Sequence, residues 1–232
     1  MFPFFVLKIN LNFRVMDKED LHKERFNEWV EPIKKLFYAY GLKNLSMDDL
    51  SRSLGISKKT LYTYVKNKED LIEKIFLHEE SIVFRKSEKI DDISINAIEK
   101  LLLISQLIHD ELKQINPMIQ FEMKKYYPAI FESYMEKKRV FVFEGMKINM
   151  QQGISEKLYR DDINIDLVAT IYLNSFIELH NSDVCRILDV DFLKIFEVMF
   201  ENHIRAISTP TGIAYFESRK NDILEYINTN KK

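Results

Sequence analysis

The chain has 232 residues, 46% of them hydrophobic and 30% charged, enough for one large core or two smaller ones. Only five Gly and five Pro are present, too few for a sandwich or barrel with many tight turns, and a net charge of −2 excludes a protein that coats nucleic acid indiscriminately. The one cysteine, Cys185, excludes an intrachain disulfide framework and reads as a small apolar core residue in a reducing, cytoplasmic setting.

Residues 1–15, MFPFFVLKINLNFRV, lack the charged start, apolar length and cleavage site of a secretory signal. They are read as an upstream extension of the reading frame, or else as an arm that packs or stays disordered. No later stretch reaches 18 consecutive apolar residues, so no membrane partner is expected.

From Asp17 to Tyr40 the apolar residues Leu21, Phe26, Trp29, Val30, Ile33, Phe37 and Tyr40 recur at helical spacing, which predicts a first helix with one buried face. Trp29 reads as core. Pro32 should kink this helix or split off its first half, because it removes a backbone donor and crowds the preceding turn.

The stretch Ser46 to Leu71 carries the densest signal. Ser46 is a good N-cap, followed by Asp48 and Asp49 where the helix dipole favours negative charge. Met47, Leu50 and Leu54 share a face, and Gly55 supplies the left-handed stop. Ser57 caps a second helix, in which Leu61 and Val65 point inward while Lys58, Lys59, Thr60, Tyr62 and Thr63 are left outside. Asn67 caps a third helix opening at Lys68. Between Lys43 and Lys68 there are six Lys or Arg against two Asp, a local excess of +4 in an acidic chain. Two short helices joined by a Gly-containing turn, the second with cationic, hydroxyl and aromatic side chains outside, suit a recognition helix in a major groove. A plain solvated face on a helical hairpin is the alternative reading.

Tyr40-Gly41, Ser46-Met47-Asp48-Asp49-Leu50, Leu54-Gly55-Ile56-Ser57, Thr60-Leu61-Tyr62, Tyr64-Val65 and Lys68-Glu69-Asp70-Leu71 together resemble the N-terminal signature of the TetR family of transcriptional regulators. The resemblance implies a helix-turn-helix domain over residues 16–75 that binds a double-stranded DNA operator. It places Ser57 to Tyr62 at the start of the recognition helix and Tyr64 and Lys68 on phosphates; Ser46 joins them as a candidate contact. Val65 stands where the family often has Phe. Beyond about residue 75 only the general plan carries over, a helical ligand-binding and dimerisation domain over residues 76–232.

That second part holds 20 basic and 25 acidic side chains and is not expected to be drawn to DNA. Ser94 or Asn96 should cap a helix through Lys113, Asn116 and Pro117 should open a short one, and Pro128 a long one that reaches Gln152 and stops at Gly153. Two segments, 165–179 and 190–207, are apolar over more than one stripe, as helices packed on both their own domain and a partner would be. In the family the last two long helices of this domain pair across a two-fold axis. This places Leu167, Ile171, Tyr172, Ser175, Phe192, Phe196, Met199, Phe200 and His203 at a homodimer interface. Thr209 to Gly212 should break the chain before a final helix from Ile213 to Ile227.

No glycine pattern cradles a phosphate, no HExxH occurs, and the five histidines lack ligand spacing, so no metal, cofactor or catalytic residues are expected. Glu79-Glu80 and Asp161-Asp162 read as solvated charges. Met118, Phe121, Met123, Tyr126, Tyr127, Phe131, Tyr134 and Met135, with Gln106 and His109 nearby, are candidates to line an effector pocket between helices, against the plainer role of filling a core. The expectation is an all-α, homodimeric repressor released from a palindromic operator by an unknown small-molecule effector. The alternative is a helical DNA-organising or protein-binding module without such a ligand.

Overall fold

The computed structural model describes residues 18–181 and 191–229, with side chains over 21–178 and 191–220. Residues 1–15 and Cys185 therefore lie outside the described residues. The described residues form α-helices and no strand, and they divide between Leu71 and Ile72 into two compact units.

In the first unit α1 (Lys18–Tyr40) buries Phe26, Trp29, Val30, Ile33 and Phe37. Pro32 does not split it. Both Pro32 and Glu28, whose carbonyl loses its partner, are exposed, so the lost bond lies on the solvent side while Val30 and Ile33 anchor the turn on the buried side. Gly41, at φ 82°, ends the helix, its N–H reaching the Phe37 carbonyl at 2.8 Å. Helices α2 (Met47–Ser53) and α3 (Lys58–Leu61) follow, and Met47, Leu50, Leu61 and Val65 join the α1 residues in the core. Helix α4 (Lys68–Asp91) begins in this unit, where the Asp70 N–H donates to Asn67 Oδ1 at 2.8 Å, and continues into the second.

The second unit adds α5 (Ala97–Lys113), α6 (Pro117–Tyr126), α7 (Pro128–Ser155), α8 (Ile165–Asn181), α9 (Phe192–Ile207) and α10 (Pro210–Thr229). Asn96 and Asn116 cap α5 and α6 with their side-chain oxygens, and Pro117 and Pro128 occupy the first turns of α6 and α7. Ile98 and Leu102 of α5, Met150 of α7, Ala169 of α8, Ile204 and Ile207 of α9 and Phe216 of α10 meet in one core around Tyr159.

Gly153 is not the stop expected of it. Helix α7 continues to Ser155, and Gly153 lies inside it because a Cβ there would stand 2.0 Å from Cδ2 of the Tyr159 ring. The left-handed residue of this turn is Lys157, at φ 59°. Nor does Gly212 break the chain. It lies within α10, which starts at Pro210, and a Cβ on it would meet the Leu158 carbonyl oxygen at 2.1 Å. The Leu158–Tyr159 turn is thus pressed between two glycines and held by hydrogen bonds from Thr209 N to Leu158 O at 2.9 Å and from Arg160 N to Ile207 O at 2.8 Å. Helix α10 is tied to α5 through Glu99, whose Oε1 accepts from the Tyr215 hydroxyl at 2.8 Å and from Arg219 Nε at 2.5 Å.

Candidate nucleic-acid interface

The helix-turn-helix is built from its caps. Ser46 Oγ accepts from the Asp49 N–H at 3.2 Å while Asp49 Oδ2 accepts from the Ser46 N–H at 3.0 Å, a reciprocal capping box. The Ser46 hydroxyl also donates to Asp49 at 2.6 Å, and these bonds hold the Asp49 carboxyl below the usual carboxylate range. Ser46 is thus engaged in starting α2. At the other end Gly55 takes φ 67°, which lets the Ile56 N–H return to the Ser51 carbonyl at 3.0 Å. Ser57 then caps α3, accepting from the Thr60 N–H at 3.0 Å, and its hydroxyl pairs with that of Thr60 at 2.7 Å.

Helix α3 has only four residues, and Tyr62 to Val65 continue it in tighter turns, with Thr63 N bonded to Thr60 O at 3.1 Å and Tyr64 N to Leu61 O at 3.0 Å. Leu61 and Val65 are buried, whereas Lys58, Lys59, Tyr62 and Thr63 are exposed. The two lysines differ. Lys58 Nζ lies 2.9 Å from Asp48 Oδ2, an exposed pair that raises the lysine pKa, while Lys59 projects from the next position, exposed to solvent. Thr63 Oγ1 donates to Thr60 O at 2.7 Å.

Tyr64 is positioned by two rings of α1. It stacks on His22 at 3.7 Å between centroids and meets Trp29 edge-on at 4.6 Å. An open groove of about 620 Å3 beside it is lined by Leu21, His22, Glu24, Arg25, Glu28 and Tyr64. Sequence reasoning gave His22 no role; the signal was its place seven residues before Trp29, two turns along the same face. Lys68 Nζ donates to the Lys43 carbonyl at 3.2 Å, so its ammonium rests on the loop before α2.

In the second unit the effector candidates separate. His109 and Met123 are buried, and Gln106, Tyr126, Tyr127, Phe131, Tyr134 and Met135 are half-buried. Met118 and Phe121 are 42% and 59% exposed, so those two do not face the interior between the helices. Lys125 lies 5.3 Å above the Phe121 ring. Glu80, read from sequence as solvated, is 7% exposed and its Oε1 has no hydrogen-bond partner.

The expected dimer residues also divide. Leu167, Ile171 and Ser175 of α8 are exposed, the first two at 59% and 66%. Phe192, Met199 and Phe200 are half-buried. Phe196 and His203 are buried within their own subunit, and Tyr172, packed against His203 at 4.5 Å, is held in the same interior, so these three face inward. The outward apolar residue of α9 is Val198, 60% exposed.

No group of three His, Cys, Asp or Glu able to hold a metal occurs among the described residues, and no helix among them is long and apolar enough to cross a membrane.

Residues 32–75 match the family model of bacterial regulatory proteins, tetR family. The chain is 23% identical over 158 residues to the HTH-type transcriptional repressor KstR2 of Mycolicibacterium smegmatis, covering 62% of this chain and 72% of that one. It is 27% identical over 146 residues to the uncharacterized HTH-type transcriptional regulator YvaF of Bacillus subtilis, covering 60% and 73%. In fold it resembles a transcriptional regulator from Cytophaga hutchinsonii with a TM-score of 0.68 at 20% identity, over 80% of this chain and 99% of that one. The reduced form of NemR from E. coli gives a TM-score of 0.60 at 14% identity, over 80% and 98%. Agreement with the tetR family model thus covers the capped helix-turn-helix and the start of α4, and agreement in fold extends across most of the chain.

Proposed function

We propose that the chain is a cytoplasmic, homodimeric repressor that binds a palindromic operator and leaves it when a small-molecule effector binds its second unit. The observation that carries the DNA-binding part is the exposed edge of Lys59, Tyr62 and Thr63 beside a turn fixed by two capping serines. In this reading Lys58, Lys59, Thr60 and Thr63 read base edges, and Tyr62, Tyr64 and Lys68 hold phosphates. Ser46 and Ser57 act through the caps they form.

Dimerisation is supported by Leu167, Ile171 and Val198, large apolar side chains left in water by their own subunit. The relative named a repressor favours repression over activation. Helix α4 is the candidate lever, since one unbroken helix carries Lys68 at its start and Phe76, Glu80 and Phe84 further along. An effector that binds better to one setting of that helix lowers operator affinity by the ratio of its two affinities.

Selection of bound sequences from a random DNA pool, followed by sedimentation of the complex, tests the reading. Two inverted half-sites about 34 to 36 Å apart, bound by two chains, are expected. A single asymmetric site bound by one chain overturns it.

A further inference from the structure

Along α4, Phe76, Glu80 and Phe84 recur every fourth residue and so share one face. Along α7, Tyr134, Lys138 and Phe141 do nearly the same. The two faces meet ring to ring at both ends: Phe76 is edge-on to Tyr134 at 5.8 Å, and Phe84 stacks on Phe141 at 3.8 Å. Between these aromatic rungs lies a charged one that is not closed. Glu80 is 7% exposed and no donor reaches its Oε1. Lys137 and Lys138 act on it through space, yet Lys138 Nζ sits 5.9 Å over the Tyr134 ring and is drawn by Glu111 as well. Glu111 in turn pairs with Lys86 at 3.5 Å.

A buried carboxylate oxygen without a donor costs free energy that any arriving N–H or O–H recovers. Aromatic rings on both sides favour a positive occupant over a neutral one, because the ring quadrupoles attract cations, while a second anion would be repelled by Glu80. An open groove of about 470 Å3, lined by Glu136, Lys137, Val140, Phe141 and Glu144, shares Phe141 with this ladder and includes Lys137, which acts on Glu80 through space. Its two carboxylates and apolar wall suit the approach of an amphipathic cation. Burial pushes the Glu80 carboxyl up and the Lys138 ammonium down, as expected of charges lacking full partners.

We propose that the Glu80 rung is the recognition point for a small amphipathic ammonium ion, whose N–H donates to Glu80 Oε1 while its apolar body lies in the groove beside Val140 and Phe141. This names the chemical class of the effector and rests on reading the second unit as effector-binding. Lys138 competes with the ligand for Glu80.

Calorimetry on the full-length chain with 1-naphthylmethylamine, 1-naphthalenemethanol and 1-naphthoate holds the ring constant and varies the charge. The amine is expected to bind about tenfold or more tightly than the alcohol, and naphthoate more weakly than either. Glu80→Gln should bring the amine down to the affinity of the alcohol without moving the alcohol. Lys138→Gln should tighten the amine severalfold, a gain that a merely structural role for the lysine would not produce. No amine binding to the unmutated chain, an amine affinity untouched by Glu80→Gln, or a preference for naphthoate overturns the proposal.

Operator affinity measured alongside separates the two readings. Amine binding at Glu80 that leaves the operator bound supports the site and removes its role as a release switch. Operator release by naphthoate that survives Glu80→Gln keeps the switch and overturns the site.

Discussion

Lys58 Nζ stands 2.9 Å from Asp48 Oδ2, so the first turn of the recognition helix is ion-paired to the first turn of the helix before it. The pair is exposed and adds little to stability, but DNA must displace the carboxylate before the lysine is available. Asp48→Asn should therefore raise affinity severalfold at low salt, and more for selected than for scrambled DNA, because Lys58 reads base edges in the proposed complex. It should also steepen the salt dependence by about one unit. Fluorescence anisotropy across a salt series measures both, and an unchanged slope means that Lys58 does not reach DNA.

Lys59 and Lys68 should part company under mutation. Lys68 rests on the Lys43 carbonyl at 3.2 Å, and if it holds a backbone phosphate as proposed, Lys68→Ala should weaken every sequence equally and flatten the slope by about one unit. Lys59→Ala should instead change the base preferred at one half-site position, read by repeating the selection with the variant. Uniform loss in both would remove direct readout by Lys59.

The division of α8 and α9 into outward and inward residues gives opposite outcomes for similar changes. Leu167→Asp with Ile171→Asp alters side chains 59% and 66% exposed, and should yield a folded monomer with weak operator binding. Phe196→Asp buries a charge where the native ring is 3% exposed, and should unfold the second unit, at a cost of roughly 3 to 5 kcal/mol. Sedimentation and circular dichroism together distinguish loss of assembly from loss of structure.

Two glycines of one helix provide a matched pair. Gly153→Ala drives a methyl into the Tyr159 ring and should cost about 1 to 3 kcal/mol. Gly145→Ala meets nothing within 4 Å and should stabilise by about 1 kcal/mol, the ordinary gain of Ala over Gly in a helix. Urea midpoints of the two variants should move in opposite directions.

His203 is 8% exposed against Tyr172, and burial depresses its pKa to about 4. Its folded value lies below the ordinary value of about 6.5, so the unfolded chain binds the proton more readily and stability falls with acidification between those limits. From pH 7 to pH 5 the loss from this group should be about 2 kcal/mol. His203→Gln should flatten the urea midpoint over that range, and an unaltered pH profile would show that the imidazole takes up its proton equally readily in the folded and unfolded chain.

What the sequence made legible was whatever depends on neighbours along the chain. Ser46, Gly55, Ser57, Asn96, Asn116 and Pro117 act within a turn of themselves, and each begins or ends a helix where its chemistry requires. Gly153 failed as a stop because its reason is Tyr159, six positions on and across a turn. Pro32 failed as a break because solvent and the buried Ile33 decide the outcome. Helix α9 is strongly amphipathic, and Phe196 and His203 were misplaced because an apolar face does not say whether its own unit or a second chain covers it. Glu80 was hidden for a related reason: in sequence a buried glutamate looks the same as a solvated one, and only the rungs of rings above and below it mark the place.

The Leu158–Tyr159 turn, seated against Gly153 on one side and Gly212 on the other, acts as a rivet. It fastens the end of α7 to the junction of α9 and α10 at one point and leaves no slack there for sliding. Helices fastened in this way can still swing about the fastened end, and the amplitude of a swing grows with distance from the pivot. Any rearrangement within the second unit is therefore largest at the ends of α7 and α10 remote from this turn, and the turn itself should be among the slowest amides of the unit to exchange with solvent.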